Sequence, residues 1–92
     1  MPDDLPQLRL AVDEADAALV NALARRLVAV RAIGAWKRLH ASAPVDEARE
    51  QALHARWSSL AAAAGVPDAL AMDVLDAILR TTRAEVSRAA GR

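Results

Sequence analysis

Arg26 and Lys37 lie eleven residues apart in the stretch ALARRLVAVRAIGAWK (22–37), whose apolar residues recur at helical spacing. Eleven steps of about 100° return the second side chain to within about 20° of the first, so both cations point the same way, about three turns apart. The seam that holds them runs Arg9, Val12, Asp16, Leu19, Leu23, Arg26, Val30, Ile33, Lys37, and four of its nine positions are charged. A second seam, Asp46, Glu50, Leu53, Trp57, Leu60, Ala64, begins with two carboxylates; a third, Ala71, Leu75, Ile78, Thr82, ends near Glu85 and Val86. Each feature has an ordinary reading. Long cationic side chains snorkel to solvent, acids suit helix N-termini, Arg49 beside Glu50 can be a surface residue, and Thr82 can return its hydroxyl to the backbone. Together they describe an inward-facing pocket with at least two cations and two carboxylates. Unpaired buried ions are costly, so a small chain carries such a pocket where a ligand pairs with it. A small dianion bearing hydroxyl groups has the right chemistry.

The elements that must position these residues are helices. Apolar types make up 54% of the 92 residues, Ala dominates them, and two Trp are the only aromatics, which favours close-packed helices over a sheet. No repeat or linker divides the chain, so one domain over residues 1–92 is expected. From Pro6 no proline interrupts the sequence until Pro44, with Gly34 the one weak point, which predicts a first helix over roughly 6–40. Such a helix spans about 50 Å, whereas a compact domain of this size has a radius of gyration of only about 12–13 Å. One protomer cannot cover it, and a homodimer is expected. A-P-V-D-E starts a second helix with acids in its first turn, and Gly65 stops it. Pro67 and Asp68 open a third, running to Ala89 or Ala90, after which Gly91-Arg92 should fray.

Twelve basic and twelve acidic residues cancel without a single-signed stretch, which argues against nucleic acid and anionic membranes as partners. The N-terminal MPDDLPQLR has no signal-peptide pattern, and no apolar run approaches about 18 residues. The chain contains no cysteine, in keeping with a cytoplasmic setting. His40 and His54 have no second ligand at metal-binding spacing and are expected at the surface, with no metal.

Six segments carry a resemblance. L-R-L-A-V-D-E-A-D (8–16), L-A-R-R-L-V (23–28), I-G-A-W-K (33–37), P-V-D-E-A-R-E (44–50), A-G-V-P (64–67) and I-L-R-T-T-R (78–83) resemble, in order and without a gap, the all-α chorismate mutases. Small members of that family are intertwined three-helix homodimers with one long helix and two shorter ones. The resemblance implies an isomerase that rearranges chorismate to prephenate, in the biosynthesis of phenylalanine and tyrosine from the shikimate pathway, with no cofactor. It implies that Arg26 binds a substrate carboxylate, that Arg9 reaches in from the partner subunit, and that Lys37 contacts the ether oxygen and a carboxylate. Glu50 would bind the ring hydroxyl beside Asp46, with Arg49 and Thr82 completing the polar lining. The family usually places Gln or Glu four residues after the position of Thr82, as a second donor to the ether oxygen; here that residue is Val86, with Glu85 next to it. The departure implies a slow enzyme, or one activated in complex with the first synthase of the shikimate pathway. Relatives of the same fold act on 4-amino-4-deoxychorismate as mutases or on isochorismate as pyruvate lyases. Those reactions, and a non-catalytic helical dimer, are the alternatives.

Overall fold

The computed structural model describes residues 4–43 and 46–89, which form three helices: α1 (Leu5–Leu39), α2 (Glu47–Ala64) and α3 (Asp68–Ala89). No strand occurs among the described residues, and the chain is all-α. Local chemistry sets the ends. Asp4 caps α1 by accepting the Gln7 N–H at 3.0 Å, and Pro6 lies in the first turn, where its missing N–H costs nothing. Asp46 caps α2 in the same way through the Arg49 N–H, also at 3.0 Å. Gly65 ends α2 in the left-handed conformation, φ 73°, and the Val66 N–H closes the turn on the Ala61 carbonyl at 2.8 Å. The Pro44-Val45 part of the expected helix start, the Ala90 end and the fraying Gly91-Arg92 lie outside the described residues.

α3 is the centre of the fold, packed between α1 and α2, which scarcely touch one another. Its partners along α1, from Arg26–Thr82 to Gly34–Val86, rise together in number, so α1 and α3 run parallel. Glu50–Arg83 and His54–Asp76 run in opposite order, so α2 and α3 are antiparallel. This two-sided packing alters the expected third seam. Leu79 rather than Ile78 is the buried residue, and it joins Leu75 and Leu53 in a core flanked by Trp57 and Met72. Ile78 faces the α1 side, beside Leu23 and Leu27. The second seam shifts as well: Ala61 is buried, while Leu60 is half exposed.

Gly34 is where α1 and α3 approach most closely. A Cβ built there would lie 2.6 Å from the Ala89 Cβ and 3.1 Å from the Val86 carbonyl oxygen. Relief requires moving backbone, because the Val86 oxygen cannot rotate away. Gly34→Ala is therefore expected to destabilise the chain by up to about 2 kcal/mol, an overpacking cost toward the upper end of about 1–3 kcal/mol reduced by the roughly 1 kcal/mol better helix propensity of alanine. Thermal denaturation checks this; an unchanged or raised Tm would contradict the close approach.

The molecule measures 56 × 23 × 16 Å with a radius of gyration of 16.5 Å, well above the roughly 12 Å of a compact chain of this length. The long helix is the reason. Residues 5–21 of α1 are exposed throughout, among them Leu5, Leu8, Leu10, Val12, Leu19 and Val20. No described helix is long and apolar enough to cross a membrane.

Candidate active site

The charged parts of the first two seams converge on the Thr82 end of the third. α1 contributes Arg26, Val30, Ile33 and Lys37 to a cavity of about 130 Å³, α2 contributes Asp46, Arg49, Glu50 and Leu53, and α3 contributes Leu79, Thr82, Arg83 and Val86. A neighbouring groove of about 260 Å³ between α1 and α3 shares Arg26 and Thr82, but its other lining residues are Leu23, Leu27, Ala77, Ile78 and Thr81. It offers one cation and no carboxylate, so ion-pair chemistry belongs to the smaller cavity.

Arg26 is partly buried and donates from Nη1 to the Thr82 hydroxyl at 2.6 Å, while that hydroxyl donates to the Ile78 carbonyl at 2.9 Å. Thr82 thus returns its proton to the backbone and also fixes the guanidinium at the cavity wall. Burial, and then repulsion from Arg49, push the Arg26 pKa down from its ordinary value. The fork remains charged at any working pH, and an anion between the two arginines would relieve that repulsion. Lys37 lines the cavity from the last turn of α1 and also borders the outer recess formed with Ser42, Ala43, Asp46 and Glu47.

Glu50 is held by a residue outside the expected set. Arg83 donates from Nε to Glu50 Oε2 at 2.9 Å and from Nη2 to Oε1 at 2.6 Å, a two-point ion pair between α3 and α2. The hydrogen bonds from Arg83 are the main reason that the Glu50 carboxyl lies below its usual range. Beside it His54, on the surface, donates to the Glu50 carbonyl at 2.8 Å and meets Asp76 at 3.3 Å, contacts that raise the imidazole pKa. Arg83 follows Thr82 by one residue, about 100° off the seam, which is why seam counting passes over it. The available signal lay on α2: a half-buried Glu50 needs a cation, and the antiparallel packing of α3 places Arg83 opposite it.

One expected member, Glu85, is absent from this cavity, and Arg9 is expected there only from a partner subunit. Glu85 turns to the outside, where Arg31 reaches it at 3.2 Å and Arg88 pairs with it, so it does not replace the residue at Val86. The 100° between neighbours on a regular helix is not overcome. Val86 itself is 4% exposed and lines the cavity with an apolar side chain. Arg9 is exposed and lies seventeen residues before Arg26 on the same straight element, about 25 Å away, so it cannot enter its own chain's cavity. Among the described residues no cluster of His, Cys, Asp and Glu could hold a metal ion.

Residues 8–86 match the sequence model of a family described as "Chorismate mutase type II". A "4-amino-4-deoxychorismate mutase" of Streptomyces pristinaespiralis is 36% identical over 80 residues, which cover 87% of this chain and 62% of that protein. The chain therefore matches less than two thirds of that curated relative's length. No solved structure gives a significant match.

Proposed function

The chain belongs to the type II chorismate mutase family, and from that premise we propose that it is a chorismate mutase, rearranging chorismate to prephenate. The observation that carries this reading is the single cavity in which Arg26, Lys37 and Arg49 face Asp46 and Glu50 across three helices. The reaction breaks one C–O bond and forms one C–C bond within one molecule, so no atom is gained or lost and no protein nucleophile is needed. Two things accelerate it: holding the substrate in its compact reactive shape, and stabilising the negative charge that gathers on the ether oxygen as the bond lengthens.

In this reading Arg26, fixed by Thr82, clamps one substrate carboxylate. Lys37 donates to the ether oxygen and the second carboxylate. Glu50 accepts from the ring hydroxyl, with Asp46 and Arg49 at the same wall. Val86 gives no hydrogen bond where the family places a donor, so the basal reaction is slow. An activating complex with the first synthase of the shikimate pathway would have to act by moving the last turn of α3, because Val86 is sealed from outside. The setting we propose is the cytoplasm, in aromatic amino acid biosynthesis.

The cavity is smaller than the roughly 300 Å³ at which ligand sites begin, and the uncovered half of α1 carries Arg9. A homodimer answers both features: the α1 of a second copy would cover the apolar surface and bring its Arg9 to this cavity. Complementation tests this directly. Arg9→Ala and Lys37→Ala chains should each be nearly inactive on chorismate, yet after random subunit exchange about a quarter of the sites should be intact and active. If the mixture stays as inactive as its components, Arg9 does not act across subunits. The relative's name favours a second reading, the same rearrangement with an amine in place of the ring hydroxyl.

A further inference from the structure

The pairing of Arg83 with Glu50 bears on which of those two substrates fits. It rests on the assignment of Glu50 to the ring substituent made above. We propose that Arg83 is a specificity-determining residue: by holding Glu50 in a two-point ion pair, it makes this end of the cavity accept a neutral hydroxyl and reject an ammonium.

A carboxylate offers about four lone-pair sites. Arg83 occupies sites on both oxygens through its planar fork, with Nε at 2.9 Å from Oε2 and Nη2 at 2.6 Å from Oε1. The remaining lone pairs still accept an O–H bond, which brings no net charge. An ammonium arriving at the same oxygens brings a full positive charge to an anion already neutralised, within a few ångströms of the guanidinium.

The charge balance of the whole cavity points the same way. Arg26, Lys37, Arg49 and Arg83 set four positive charges against the two negative ones of Asp46 and Glu50, an excess of two. A substrate with two carboxylates and a hydroxyl matches that excess. Its amine analogue carries one net negative charge and compensates one cation fewer, a difference between the two substrates that Arg9 from a second copy leaves unchanged. Arg83 stands on the solvent side of the pair, its side chain 46% exposed against 17% for Glu50, so truncating it leaves the packed core untouched.

The test is the ratio of kcat/KM for chorismate to that for 4-amino-4-deoxychorismate, measured on the wild-type chain, Arg83→Leu and Arg83→Lys. The wild type should favour the hydroxyl substrate by at least about tenfold, and Arg83→Leu should move the ratio toward the amine by at least about tenfold. Arg83→Lys keeps the charge without the fork and should fall between them. A loss of stability alone would not change a ratio between two substrates. A ratio that stays the same in Arg83→Leu, whether both rates hold or both fall together, would overturn the role of Arg83 while leaving the mutase reading intact. A wild-type preference for the amine would also overturn it. A folded wild-type chain that turns over neither substrate would overturn the proposed function itself, and this inference with it.

Discussion

Lys37→Ala is expected to lower kcat on chorismate by about 10³-fold while leaving helicity and assembly unchanged. The size follows from removing one preorganised donor from an oxygen that becomes negative only as the reaction proceeds, an effect of about 10²–10³ in rate. Loss of a carboxylate contact adds to it in KM. Stability should change little. Lys37 sits in the last turn of α1, where a cation gains about 0.3–1 kcal/mol from the helix dipole, and it is not among the buried residues of the fold. Steady-state kinetics beside far-ultraviolet circular dichroism separates the two effects. A folded variant that retains most of its kcat would remove Lys37 from the chemistry.

Val86→Gln is expected to act in the opposite direction, raising kcat by about 10²-fold. Val86 lies on the same wall as Thr82, one turn further along α3, and lines the cavity that Lys37 lines from α1. A glutamine there carries an N–H toward the oxygen proposed above as the target of Lys37, supplying the second donor that Val86 lacks. Its backbone neighbour sets a limit. The Val86 carbonyl and Cα pack against Gly34, so the gain depends on the new side chain extending into the cavity with that contact undisturbed. A rise in kcat with little change in KM is the signature of a donor used mainly in the transition state. No rise in a folded variant would show that the apolar residue at 86 is not what slows the reaction.

The positions that carry these predictions differ in how plainly the sequence announced them. Arg26 and Lys37 were visible because a regular helix leaves no freedom in the relative direction of residues eleven apart, and both line the cavity. Pro6 and Gly65 were equally legible as helix ends, since each acts within one turn of itself, whereas the capping bonds of Asp4 and Asp46 emerged only in the structure. The elongated shape followed from helix length alone. Arg83 was hidden for the converse reason: its pairing with Glu50 depends on the antiparallel register of α2 on α3, which no local pattern specifies. The same register buries Leu79 in place of Ile78, because α3 is covered on two sides and one seam cannot describe it. Glu85 could be judged only when Arg31 and Arg88 were seen to hold it outside.

The reaction proposed for this cavity rearranges chorismate without adding or removing an atom. Its most direct test is to incubate the purified chain with chorismate, follow the loss of ultraviolet absorbance and identify the product by chromatography. The expected product is prephenate, equimolar with the chorismate consumed and formed faster than the spontaneous reaction, with no pyruvate released. Prephenate at no more than the spontaneous rate from a folded chain, or pyruvate as the product, would contradict it.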